Sequence, residues 1–299
     1  MIGYLTNEQF LPELKAELKN IRATYGGLVL TDGPLQTSVW AQNIWLNPEI
    51  ISFESVSQAG KALKERGKLW AVYSTDQHRR AQLIQDQLLK VKPRVMNFLG
   101  PLPDMPIGAW TLIDKNTLIA SSETNSLFPL GEVRFNEDKK NPPSRAYLKL
   151  WELFTVYGIK PKPGERVVDF GSCPGGWTWV LQQVGCHVVS IDRAPLEPHI
   201  AALPRVEFKK TNAFNVKPED IGAIDWFFSD IICYPEKLLE LVQTWQSSGL
   251  CRNFVCTIKF QGKTDFETLR KFQDLPNSHV QHLYHNKHEV TVWIRTSSP

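Results

Sequence analysis

The chain has 299 residues, 42% of them apolar, and its 34 basic and 31 acidic side chains leave a net charge of +3. That length accommodates one large α/β domain or two of ordinary size around a substantial core. The apolar runs are strand-length and broken by charges, which excludes a membrane span, and so mild a charge leaves only a local basic surface for any nucleic acid.

The opening "MIGYLTNEQF" has no basic segment followed by an apolar one, so no secretory signal is expected. The cysteines (Cys173, Cys186, Cys233, Cys251, Cys256) form no CxxC pair, and none precedes residue 173. They outline neither a disulfide framework nor a zinc site; a reducing cytoplasm and no metal are expected.

In chain order, "IGYLT" reads as a strand, and "NEQFLPELKAELKNI" as a helix with Phe10, Leu14, Leu18 and Ile21 on one face. "GGLVLTD" and "VWAQNIWL" are strand-like. "SVSQAGKALKERG" and "DQHRRAQLIQDQLLKVK" are helical around the strand "LWAVYST", and "AWTLIDKNTLIASSE" reads as a hairpin turning near Asp114–Asn116. His78, Arg79, Arg80, Lys90, Lys92 and Arg94 form a basic cluster that fits a solvated helix face as well as phosphate contacts. The polar stretch "FNEDKKNPPS" (135–144) reads as a linker between a domain over 1–135 and another over 136–299, with Ser144 as N-cap of the helix "RAYLKLWELFTVYG".

Beyond it the pattern is regular. "ERVVDFG", "HVVSID", "RVEFKKT", "IDWFFSD" and "RNFVCTIKF" are strands, with helices at "PGGWTWVLQQVG", "PEKLLELVQTWQSS" and "KTDFETLRKFQDL". Strands alternating with helices predict a doubly wound, mostly parallel sheet. "HVQHLYH" and "EVTVWIR", separated by Asn286–His288, predict an antiparallel hairpin at its edge.

"VVDFGSCPGGWTWVL" (167–181) runs from strand through glycine turn to helix, the order of a nucleotide-binding element. Against a dinucleotide-type G-x-G-x-x-G, Gly171 and Gly176 take the outer places, but Cys173 holds the middle one and Pro174 removes an N–H. No Gly-Lys-Ser/Thr follows, which excludes a Walker A loop. The turn, including Gly175, is therefore expected to hold a nucleoside without phosphate, and S-adenosylmethionine fits. Asp192, 21 residues beyond Gly171, stands where an acid would accept from ribose hydroxyls, and Asp169 can face the ligand's positive charge. Each also fits a bland role, Asp192 as a helix N-cap and Asp169 as a buried turn acid. Trp177 and Trp179 fit stacking on a ligand or base, or helix packing.

Four further residues stand at telling positions: Lys149 in the helix before the first strand of this half, Asp230 and Lys259 at strand ends, and Glu289 opening the last strand. Ligands of open α/β sheets bind beyond the carboxyl ends of the strands, which brings Asp230 and Lys259 to the ligand. A structural ion pair between them is the competing explanation.

"SRAYLKLWE", "VDFGSCPGGWT", "SD" and "IK" after strands, and "LYHNKHEVTVWIR" together resemble the FtsJ-like ribose 2′-O-methyltransferases, in particular their THUMP-bearing branch. The resemblance is ordered from about residue 125 to 295 and faint over 1–120. It implies a Rossmann-like methyltransferase sheet behind a smaller N-terminal α/β, THUMP-like RNA-binding domain, with S-adenosyl-L-methionine as cofactor and no metal. It further implies methylation of a ribose 2′-hydroxyl, of a cytidine in 23S rRNA or a ribosomal assembly precursor, by a monomer with no membrane contact. A Lys-Asp-Lys-Glu tetrad would fall on Lys149, Asp230, Lys259 and Glu289, with Lys259 as base. A lysine accepts a proton only after giving up its own, which burial and a second cation favour. Asn212 stands where these relatives carry an acid toward the adenine, and the N-terminal region is shorter than theirs. Arg145 and Lys210 are candidate phosphate contacts. The alternatives are an inactive RNA-binding or ribosome-assembly factor of this fold, or a Cys233 nucleophile for pyrimidine C5 chemistry.

Overall fold

A computed structural model of the chain describes residues 1–91 and 94–295. The chain divides into two compact units, Met1–Asn136 and Glu137–Pro299. Lys92, counted above in the basic cluster, lies outside the described residues.

The first unit contains two four-stranded sheets. Strands β1 (Ile2–Leu5), β2 (Ile21–Tyr25), β3 (Leu28–Thr31) and β4 (Asn43–Trp45) run antiparallel in the order β2-β3-β1-β4. The second sheet follows from β5 (Glu49–Ser52) and β6 (Trp70–Val72). A short β7 (Val95–Met96) intervenes before β8 (Gly108–Asp114) and β9 (Thr117–Ser121) complete the order β5-β9-β8-β6. A two-residue β10 (Arg134–Phe135) pairs with β7. Helix α1 (Leu11–Glu17) precedes β2, whereas α2 (Val56–Arg66) and α3 (His78–Gln85) bury Leu63 and Ile84 in one core with Trp70 and Trp110.

Three expectations change here. The first helix stops at Glu17: Asn20 adopts φ +54°, and Ile21 begins a strand with its side chain out. Its helical spacing from Phe10, Leu14 and Leu18 is a coincidence of pattern, overridden by pairing with β3. "VWAQNIWL" contributes only the strand Asn43–Trp45, and the unanticipated β5 forms because Glu49–Ser52 finds an edge on β9. The third helix ends at Gln85, well short of residue 92.

In the second unit, α4 (Tyr147–Val156) leads into β11 (Arg166–Phe170), α5 (Gly176–Gln183), β12 (His187–Asp192), α6 (Pro198–Ala201) and β13 (Val206–Lys210). Then come α7 (Pro218–Ile221), β14 (Ile224–Ser229), α8 (Pro235–Ser247), β15 (Cys251–Lys259), α9 (Phe266–Gln273), β16 (Ser278–Gln281) and β17 (Glu289–Arg295). The strand order is β13-β12-β11-β14-β15-β17-β16. The first five are parallel; β17 is antiparallel to both β15 and β16.

Consecutive residues of β14 show why helices cover both faces. Phe227 packs on Trp245 of α8 (5.3 Å), and Phe228 meets Phe154 of α4 and Trp177 of α5, both at 6.2 Å. A strand buried on both sides reads as a continuous apolar run, as "WFF" in β14 does. Strand order reverses between β11 and β14, and that reversal opens a crevice at their carboxyl ends.

Two local expectations shift. Ser144 does not cap α4: the helix begins at Tyr147 after Ala146, whose N–H donates to Ser144 Oγ (3.4 Å). "HVQHLYH" leaves the sheet after Gln281, and residues 282–288 form a loop closed by the Leu283 N–H donating to Asn286 Oδ1 (2.8 Å).

Candidate active site

Lys149, on the first turn of α4, is buried and reaches across to β14 and β17. Its Nζ donates to Asp230 Oδ1 (2.7 Å) and Glu289 Oε1 (3.0 Å) and lies 5.7 Å from the centre of the Trp177 ring. Lys259 ends β15 and sits opposite Glu289 in the antiparallel register. Its Nζ lies 3.0 Å from the same Asp230 oxygen and donates to the Asp230 carbonyl at 2.6 Å. Four residues between positions 149 and 289 thus meet around one carboxylate, which also accepts from the Thr257 hydroxyl.

Burial disfavours the charge on Lys149, but Asp230 and Glu289 more than offset it and hold the ammonium above the usual lysine range. Burial likewise opposes ionisation of Asp230, yet Lys149 and Lys259 keep its carboxyl below the usual carboxylate range. Lys149 and Asp230 are each held in their charged forms by the partners around them.

Beside it lies a cleft of about 590 Å³, lined by Gly171, Cys173, Pro174, Asp192, Asn212, Asp230 and Lys259 among others. Gly171 has φ +75°, and a Cβ there would stand 2.7 Å from Ile231 Cα, so only glycine lets the turns after β11 and β14 touch. Asp192 accepts from Cys173 N–H (3.0 Å) and Ala194 N–H (2.9 Å), which aims its carboxylate at the glycine turn. Asn212 accepts from Phe214 N–H (3.2 Å) as the cap of a short 3-10 turn, so one lone pair of its carbonyl is already engaged.

Asp169, Gly175, Gly176 and Trp177 are not among the lining residues. Asp169 is fully buried, accepts from Thr178 Oγ1 (2.7 Å), and has its other oxygen buried without a hydrogen bond. Burial pushes its carboxyl up to about 7. Gly175 and Gly176 shape the turn from behind, and Trp177 packs on Phe228 while its Nε1–H donates to Ala146 O (3.0 Å). Trp179 packs on Tyr147 and Trp151. Arg145 pairs with Glu137, at 2.8 Å for one of its contacts, and Lys210 is exposed beside Asp192 in the β12–β13 register.

Several lining or supporting residues carried no sequence signal. Arg193, Phe214 and Ile232 line the cleft, Ile232 at 77% exposure. Glu152, one turn after Lys149, is buried and accepts from the N–H groups of Tyr284 and His285. The helical spacing "KLWE" hinted that Glu152 shares a face with Lys149, but nothing local named its partners.

A model of the FtsJ-like methyltransferase family matches residues 142–281. Similar chains include the ribosomal RNA large subunit methyltransferase M of Halorhodospira halophila, 35% identical over 164 residues, 52% of this chain and 48% of that one. The protein of that name from Xanthomonas campestris pv. campestris is 34% identical over 188 residues, 58% of this chain and 53% of that one. The chain spans about half the length of these curated relatives.

The cleft fits S-adenosylmethionine, the cofactor that the matching family implies. The cleft falls within the roughly 300–1,000 Å³ of small-molecule sites, and its lining combines a glycine turn, two carboxylates and a carboxamide. Burial pushes the Cys233 thiol up to about 11, so it is protonated at neutral pH and a poor nucleophile. Among the described residues no group of three His, Cys, Asp or Glu is placed to hold a metal ion, and no helix is long and apolar enough to cross a membrane.

Proposed function

We propose that this protein transfers a methyl group from S-adenosylmethionine to a ribose 2′-hydroxyl of ribosomal RNA, the target being a cytidine of 23S rRNA. The observation that carries the reading is the pairing of Lys149 and Lys259 with one carboxylate at the edge of a nucleoside-sized cleft. A purely structural ion pair needs one lysine; the second, with a glutamate on the next strand, is what a proton-transfer site needs.

In this mechanism Asp192 would hold the cofactor's ribose hydroxyls, and the carbonyl of Asn212 would accept from its adenine. Bound there, S-adenosylmethionine would supply an electrophilic methyl group. Lys149, held as an ammonium by two carboxylates, is an anchor and donor toward the substrate ribose and not a base. Lys259 lines the cleft; having released a proton to solvent, its Nζ takes the 2′-hydroxyl proton as the oxygen attacks. Asp230 and Glu289 orient both lysines, which leaves alignment of the reacting atoms as the remaining task.

In the same proposal residues 1–136 bind RNA, with the exposed Arg79 and Lys90 as candidate phosphate contacts, and the protein works as a cytoplasmic monomer. Arg80 lies over the Phe53 ring, and Arg94 donates to the Met105 carbonyl, so neither is a simple solvent-facing charge. Binding to RNA should weaken steeply with salt.

The deciding experiment measures methyl transfer from labelled S-adenosylmethionine to unmodified rRNA and maps the product. Ribose methylation that Lys259→Ala and Asp230→Ala abolish, with cofactor still bound, supports the assignment. Transfer at the parent rate in both variants refutes it, and cofactor binding without transfer to any RNA favours the assembly-factor alternative.

A further inference from the structure

Helix α4 grips the loop before Glu289 at two points. Lys149 bonds Glu289 itself, and Glu152, three residues on and therefore on the same helical face, bonds the loop's middle. Glu152 Oε1 accepts from Tyr284 N–H (2.9 Å), and Oε2 accepts from His285 N–H (3.1 Å) and His285 Nδ1–H (2.7 Å). Three donors converge on a carboxylate only 2% exposed.

The next residue passes this constraint on. Asn286 is buried; its Oδ1 accepts from Leu283 N–H (2.8 Å) and Thr291 Oγ1 (3.2 Å), and its Nδ2 lies 3.5 Å from Glu289 Oε1. His282 Nε2–H donates to the Lys287 carbonyl at 2.9 Å, which closes the loop across its base. The oxygen that Asn286 approaches is the one that receives Lys149.

We propose that Glu152 is a positioning residue for the tetrad: by pinning residues 284 and 285 to α4, it sets through Asn286 where the Glu289 carboxylate stands against Lys149. Glu152 touches neither the cleft nor the reacting atoms. The role rests on the ribose-methylation reading, in which Glu289 orients a lysine. Removing Glu152 strands two backbone N–H groups of a buried loop, so the loop must shift to find other acceptors.

Methyl transfer by Glu152→Gln and Glu152→Ala tests this. The glutamine keeps the volume and one carbonyl for Tyr284, so thermal melts establish that it is folded. The expected result is a kcat lowered on the order of 10- to 100-fold, the cost of small misplacement at a reacting centre. KM for S-adenosylmethionine stays within about twofold, because Glu152 does not line the cleft that holds Asp192 and Asn212. In a Glu289→Ala background the same change costs nothing further in kcat, whereas a role in stability alone adds its loss independently.

Unchanged kcat in folded Glu152→Gln and Glu152→Ala, or fully additive losses with Glu289→Ala, overturns the proposal. If the parent protein methylates no ribose, the reaction assignment falls first. A crystal structure of Glu152→Gln then decides the positioning role: Glu289 withdrawn from Lys149 supports it, and an unmoved Glu289 rules it out.

Discussion

Lys149 and Lys259 converge on a single oxygen, Asp230 Oδ1, at 2.7 and 3.0 Å. Their surroundings differ in a way that assigns them different work. The side chain of Lys149 is 7% exposed and has two carboxylate partners; that of Lys259 is 19% exposed and has one carboxylate and a carbonyl. One lysine is locked in place, and the other keeps a face toward the cleft.

Stability should register this asymmetry. Lys149→Met leaves Asp230 and Glu289 buried with a cation missing, a change that typically costs about 3–5 kcal/mol. Lys259→Met leaves Asp230 with Lys149 and Thr257, and should cost only about 1 kcal/mol. Urea unfolding of the two variants measures the difference; equal losses would contradict the division of roles.

Asp169 makes stability depend on pH. Its carboxyl is raised from 3.8 to about 7 in the folded state, with burial the main cause. Between those values the folded protein keeps a proton that the unfolded chain has released, so stability falls as pH rises through the window and levels off above it. The full effect is roughly 4 kcal/mol. Asp169→Asn should therefore raise the thermal midpoint more at about pH 8 than at about pH 5, in cofactor-free protein.

Gly171→Ala should damage the cleft and disturb the neighbouring turn that carries Asp230. It forces a side chain into a left-handed backbone and against Ile231 Cα at 2.7 Å, at a cost of about 1–3 kcal/mol. Because Ile231 follows Asp230, the turn that yields also carries the tetrad's central carboxylate. Calorimetry should find cofactor affinity reduced at least about tenfold, the equivalent of 1.4 kcal/mol.

Cys233→Ser should retain transfer within about twofold, since a thiol held protonated contributes no nucleophile. Loss of activity with the fold intact would reopen the pyrimidine C5 alternative.

The parts of this architecture that were legible in the sequence are those whose cause is local. "VVDFGSCPGGW" announces strand, turn and helix because each step needs particular residues at fixed spacing. The first helix was overextended because Ile21 happens to continue a helical period, while the left-handed Asn20 and the β3 partner decide otherwise. Glu152 was invisible for a related reason: it meets Tyr284 across 132 residues, and no spacing rule reaches that far. For Trp177 the sequence left stacking on a ligand and helix packing open, and the ring packs inward on Phe228.

The Lys259–Glu289 apposition ties chemistry to strand alignment. Every residue of β17 from Glu289 to Ile294 is buried, so greasy and polar positions do not by themselves tell its two sides apart. A slip of a single residue against β15 would turn Glu289 to the opposite side of the sheet. Asn286, joined to both Leu283 and Thr291, ties the preceding loop to the start of β17. On the proposed function, a preparation with this hairpin misaligned would lose methyl transfer, so turnover per molecule would report how faithfully the last strands have found each other.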